Sequence, residues 1–170
     1  MKPKNKTVLL ALTALFVFTI AFAGCELGIG DRINLNRNTI VGTWAMNMGH
    51  NVVLEGTFRS DRSFQSSYIV GGVRHLAERG TYSISGNNLT MIATHVHGSG
   101  FNLVLGFPIL SHQWFDRNEL ISTFQGLGFT LDLATLDSAF ASRTAPFSIS
   151  NSGNTLTITR PDRIEVHTRQ

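Results

Sequence analysis

One pattern occurs twice in this chain, and it leaves few folds open. Tyr82-Ser83-Ile84-Ser85-Gly86-Asn87-Asn88-Leu89-Thr90-Met91 returns as Phe147-Ser148-Ile149-Ser150-Asn151-Ser152-Gly153-Asn154-Thr155-Leu156-Thr157-Ile158. Apolar residues alternate with Ser, Thr and Asn at the period of a strand. Gly86-Asn87 suits a two-residue type II′ turn, which pairs Ile84 with Leu89 and Tyr82 with Met91. The second copy has two more residues in its loop. Because that difference is even, Ile149 still faces Leu156 and Phe147 still faces Ile158. Each hairpin therefore buries an apolar face and exposes a polar one.

Further short strands surround the repeat. Ile40–Met46 and Val52–Phe58 are separated by Gly49-His50-Asn51, and Ser63–Val70 alternates so that Phe64, Tyr68 and Val70 share a face. A last strand, Ile164–Thr168, follows the break at Arg160-Pro161-Asp162. Strands this close together favour a sandwich or barrel over a parallel α/β sheet. Residues 99–143 read differently. Asp116 and Glu119 are spaced as a capping box, with Phe115 and Leu120 as a hydrophobic staple, Ile121 and Phe124 on the same face, and Gly126 and Gly128 at the end. A second helix is expected over Leu133–Ser142, capped by Asp132, with Leu133, Leu136 and Phe140 on one face. The expectation is a mainly β domain over 39–170, with a one- or two-helix insertion across one side or opening.

With the strands placed, the chain resembles the lipocalin-like (calycin) group of small bacterial lipoproteins. The residues that carry the resemblance are Gly42-Thr43-Trp44, at the start of the first strand, and the hairpin from Gly80 to Thr90. It covers residues 40–98, with 145–168 as closing strands. It implies an up-and-down antiparallel β-barrel in which Trp44 closes one end under an arginine of the last strand. Arg160, Arg163 and Arg169 all stand where that arginine would be.

The first residues carry Lys2, Lys4 and Lys6, and Val8–Ala23 then runs without a charge. This is the form of an export signal, too short for a spanning helix of about 20 residues. Cys25, the single cysteine, follows Ala23-Gly24 and resembles a lipobox, in which the thiol is lipidated (diacylglycerol, palmitate) and the signal 1–24 is removed. Several acyl chains anchor stably where one does not. Residues 25–38 then read as a lipidated N-terminus and flexible spacer, to which Ile33 and Leu35 offer weak docking points. The expected location is the cell envelope. Glu26 in place of aspartate points to the outer rather than the inner membrane, by the sorting rule of such lipoproteins.

All three lysines lie in the signal, so 11 arginines face 11 acidic residues in the remainder. A neutral balance gives no support to nucleic-acid binding. No nucleophile elbow, zinc-protease motif, phosphate loop or placed carboxylate pair occurs, so no enzyme and no cofactor are expected. His95-Val96-His97 puts two imidazoles on one face of a regular strand, the apolar face when counted from Leu89, Met91 and Ala93. His50, His75, His112 or His167 would have to complete a metal site. Two ligands make an incomplete one, and no metal is expected.

Trp44, Phe58, Phe64, Tyr68, Tyr82 and Met91, with His95 and His97, are the residues placed to line a cavity for a small apolar ligand. The competing account is plain core packing. The insertion's Phe101, Phe107, Trp114, Phe115, Phe124 and Phe129 would plug that space or face a partner. Two functions stay open: a membrane-anchored lipoprotein binding a small hydrophobic ligand, or a structural lipoprotein with a filled core acting on another envelope protein.

Overall fold

The computed structural model describes residues 40–105, 110, 112–129 and 132–170. The signal 1–24, Cys25, the spacer 25–38 and Phe107 lie outside the described residues, as does the side chain of Phe101.

Strands β1 (Gly42–Gly49), β2 (Val52–Phe58), β3 (Ser63–Val70), β4 (Val73–Ser85) and β5 (Asn88–His97) run as an antiparallel meander. The insertion follows: α1 (Gly98–Leu105), a two-residue β6 (Trp114–Phe115), α2 (Arg117–Gly126) and α3 (Leu133–Phe140). The chain returns as β7 (Ser142–Ser150), β8 (Thr155–Thr159) and β9 (Ile164–Arg169). Pairing of β4 with β5 and of β9 with β1 closes an eight-stranded up-and-down barrel. The short β6 pairs with Val96 and His97, beyond the part of β5 that β7 reaches.

Both hairpins have the register that the repeat requires, Tyr82↔Met91 and Ile84↔Leu89 in one, Phe147↔Ile158 and Ile149↔Leu156 in the other. Gly86 has φ +57° while Asn87 keeps a negative φ, the II′ pattern. The turn from β1 to β2 instead puts His50 and Asn51 both at positive φ, 50° and 61°, the type I′ pattern.

Three expectations are corrected. The helix expected over Leu133–Ser142 ends at Phe140, because the alternation of Phe147 and Ala145 continues back to Ser142 as strand. Leu133 is exposed rather than on the buried face, while Leu136 is buried. The third concerns β5. Arg79 pairs with His95 but Gly80 with Ala93, so Thr94 is an extra residue, a β-bulge that reverses the alternation beyond it. His95 and His97 consequently leave the inward face that Leu89, Met91 and Ala93 define, and Val96 takes it.

A similar irregularity sits next to it on β4. Ser66 pairs with Glu78 and Ser67 with Leu76, leaving Ala77 as the extra residue.

Trp44 is wholly buried, and its Nε1 donates to the Ile40 carbonyl at 2.8 Å. Of the three candidate arginines, Arg169 lies over it, its guanidinium 4.4 Å from the ring centroid. Arg169 donates through Nε to the Gly153 carbonyl at 2.8 Å and through Nη1 to that of Val41 at 3.1 Å. Gly42 makes room: at φ +140°, a Cβ there would stand 2.9 Å from Arg169 Nη1.

Packing forms two clusters. The first fills the Trp44 end with Phe58, Phe64, Tyr82, Leu89, Phe147 and Leu156 among others. The second joins the insertion to β5 through Val96, Leu110, Phe115, Leu120, Phe124 and Leu136. Burying such side chains stabilises by about 1.5–3 kcal/mol each, which holds the insertion against the barrel. The ends of α2 are well made. Asp116 and Glu119 form the reciprocal capping box. At the other end Phe129 N–H donates to Phe124 and Gly128 N–H to Gln125, a Schellman motif with the two phenyl rings in edge contact.

Candidate ligand cavity

Between the two clusters lies a cavity of about 150 Å³. Trp44, Phe58, Met91, Leu156 and Ile158 supply barrel wall, and Leu120, Leu136 and Ala139 supply the insertion side. Among the described residues, closure by the insertion thus comes from aliphatic side chains. Its described aromatics lie elsewhere: Phe115 and Phe124 inside the second cluster, Phe129 against it, and Trp114 half-buried on the outer side of β5.

Of the residues expected to line a cavity, Trp44, Phe58, Tyr68 and Met91 do so, whereas Phe64 and Tyr82 belong to the first cluster. Tyr82 packs edge-on against Phe58 and donates its hydroxyl to the Arg59 carbonyl at 2.8 Å. His95 and His97 are not on the cavity wall. His95 Nδ1 meets Thr94 Oγ1 at 3.0 Å. His97 is buried outside the barrel, its Nδ1 2.7 Å from Ser99 Oγ and its ring edge-on to Trp114, over which Arg79 stacks. Burial holds the His97 pKa below its ordinary value, with the charges of His112 and Arg79 acting in the same direction. No group of three or more His, Cys, Asp or Glu capable of holding a metal occurs among the described residues.

Much of the remaining wall is polar, and sequence reasoning missed most of that part. Ser66, Tyr68, Glu78, Arg143, Arg160, Glu165 and His167 all face the cavity. The bulge at Ala77 lets two consecutive residues, Ala77 and Glu78, point inward. Arg143 Nη2 donates to Glu78 Oε2 at 2.7 Å. On β9, Glu165 pairs with Ile158 and His167 with Leu156, so the inward direction of those β8 residues carries both polar side chains inside. Glu165 is 1% exposed, and its Oε1 accepts from Arg160 Nε at 2.7 Å and from Arg163 Nη2 at 2.7 Å. Burial alone would raise its pKa, but nearby His167 together with Arg160 and Arg163 outweighs that and brings it down to about 2. His167 Nε2 stands 3.6 Å from Glu165 Oε2, an electrostatic contact longer than a hydrogen bond. Burial, with Glu78 adding, pushes the Tyr68 hydroxyl up to about 12, so it stays a neutral donor.

Three buried nitrogens make no hydrogen bond in this wall: Arg143 Nε, His167 Nδ1 and His167 Nε2, the last with only its longer contact to Glu165. No protein-family model matches the chain, and no curated protein matches it.

Proposed function

We propose that the domain is a lipocalin-like binding module of a lipid-anchored envelope protein, holding one small, largely apolar molecule inside its barrel. The observation that carries this reading is the cavity of about 150 Å³ left between two packed clusters. An apolar space of that size takes a molecule about as large as benzene. Gly42-Thr43-Trp44 at the head of β1, with Arg169 stacked on the indole, supports the family resemblance. In this reading a lipid on Cys25 holds the domain at the membrane, outer rather than inner, and the chain binds rather than catalyses.

Two measurements test it. Native mass spectrometry of the purified protein should detect a co-purifying small molecule, and 1-hexanol should raise Tm of the emptied protein. Failure of both would leave the filled-core, partner-binding alternative standing. Palmitate labelling that is lost in Cys25→Ser tests the anchor.

A further inference from the structure

We infer that the molecule held in the barrel is an uncharged alcohol, its hydroxyl donating to His167 Nδ1 and accepting from Arg143 Nε. This inference rests on the proposed binding function and specifies its ligand.

Two independent observations converge on it. The first is charge balance. Each cation on the cavity wall has its anion: Arg143 Nη2 donates to Glu78 at 2.7 Å, and Arg160 Nε donates to Glu165 at 2.7 Å. Arg163, off the wall, also donates to Glu165 and stands 3.3 Å from Asp162. The hydroxyls of Ser66 and Tyr68 on the same wall are uncharged. A charged molecule entering this space would lose its hydration and meet no unmatched opposite charge, a cost that a neutral one avoids. The second observation is a pair of buried wall atoms, one lacking an acceptor and the other a donor. Arg143 Nε is buried without an acceptor, and a guanidinium N–H can only donate. His167 is 6% exposed, and its Nε2 faces Glu165 Oε2 at 3.6 Å. An ionised carboxylate only accepts, so the proton of the neutral imidazole lies on Nε2, and Nδ1 is left as an acceptor without a donor. Leaving such atoms unmet is costly, which favours a ligand that meets both. A hydroxyl carries one donor and two lone pairs on a single atom. It adds little bulk, as a space of about 150 Å³ requires, and the apolar remainder of the molecule then meets Trp44, Leu120, Leu136 and Ile158.

Matched six-carbon probes separate this inference from the one it rests on. 1-Hexanol, its isomer pentyl methyl ether, hexanoate and benzene are titrated by calorimetry at pH 7 into wild type, His167→Leu and Arg143→Lys. The ether accepts a hydrogen bond but cannot donate one, and benzene does neither. Wild type should bind hexanol about fivefold more tightly than the ether, as expected for one neutral hydrogen bond, and about tenfold or more tightly than hexanoate. His167→Leu should erase the advantage of hexanol over the ether and leave ether affinity within about twofold. Arg143→Lys keeps a cation facing Glu78 and removes the Nε donor, so hexanol and the ether should weaken together by about fivefold. Benzene affinity that stays within about twofold shows that the variants are folded with the cavity intact. Equal affinity of hexanol and the ether for wild type, the result expected if a water serves these atoms instead, overturns the hydroxyl seat and leaves the apolar cavity. So does an advantage that survives His167→Leu, hexanol affinity unchanged in Arg143→Lys, or hexanoate as the tighter ligand. Binding of no probe overturns both.

Discussion

Replacing Glu165 with glutamine tests how charge is accommodated inside the barrel. In the folded protein its carboxyl titrates at about 2, against an ordinary value of 4.5. Because the folded value is the lower one, the stabilisation is fully present above about pH 4.5 and is lost as pH falls toward 2. The difference corresponds to about 3 kcal/mol. With only 2% of the side chain exposed, solvent screening takes little from that figure. At pH 7, Glu165→Gln leaves Arg160 and Arg163 without their buried anion, and removing one partner of such a pair costs about 3–5 kcal/mol. Linkage and truncation therefore agree on about 3 kcal/mol, or about 10 °C in Tm for a domain of this size. The informative quantity is the gap between wild type and variant across pH. Near pH 2 the wild-type carboxyl is about half protonated and resembles the amide, so urea unfolding from pH 7 down to 2 should show the two stabilities converging to within about 1 kcal/mol. A gap that stays constant across that range would mean that the amide is destabilising for some other reason, and the account of Glu165 would be refuted.

Two further substitutions test the frame around the cavity. A Cβ on Gly80 would stand 1.9 Å from the Ile92 carbonyl oxygen, whereas one on Gly56 meets only the Phe58 ring at 3.8 Å. Gly80→Ala should cost about 3 kcal/mol or more in thermal unfolding and Gly56→Ala under about 1 kcal/mol, and equal losses would contradict the close approach of β4 to β5. Arg169→Ala removes the cation over Trp44 and both bonds to backbone carbonyls, so a loss of about 2–4 kcal/mol with a changed near-ultraviolet circular dichroism of the indole is expected. A loss under about 0.5 kcal/mol would show that Trp44 holds the barrel end without it.

The hairpins were legible because their information is local. Gly86 supplies its own turn, and an even difference in loop length preserves parity in the second copy, so four cross-strand pairs follow from counting. The capping box of α2 was equally local. The first half of β4 was not: Val73-Arg74-His75-Leu76-Ala77-Glu78-Arg79 has no clean alternation, because the bulge at Ala77 breaks its period. The bulge at Thr94 has no marker in its own strand either. Its signal lies across the ladder in Gly80, where strand backbones meet too closely for any side chain. Counting along β5 therefore went wrong two residues before it reached His97.

The same physics explains why the polar wall stayed hidden. Read by hydrophobicity, β9 turns Ile164 and Val166 inward, yet these are 67% and 52% exposed while Glu165 and His167 are buried. What decides the matter is not β9 itself but its register on β8, where Ile158 and Leu156 already face in, and the turn through Pro161 that fixes that register. A carboxylate held inside against its own strand's preference needs compensation, and Arg160 and Arg163 on the adjoining turn supply it for Glu165. Local pattern and tertiary arrangement disagree in natural proteins most often where a site is built. In this barrel they disagree at the bulges of β4 and β5 and along β9. Those three places deliver Ala77 and Glu78, Val96, and Glu165 and His167 to one cavity, whereas the strands that obey their pattern deliver mainly the core beneath it.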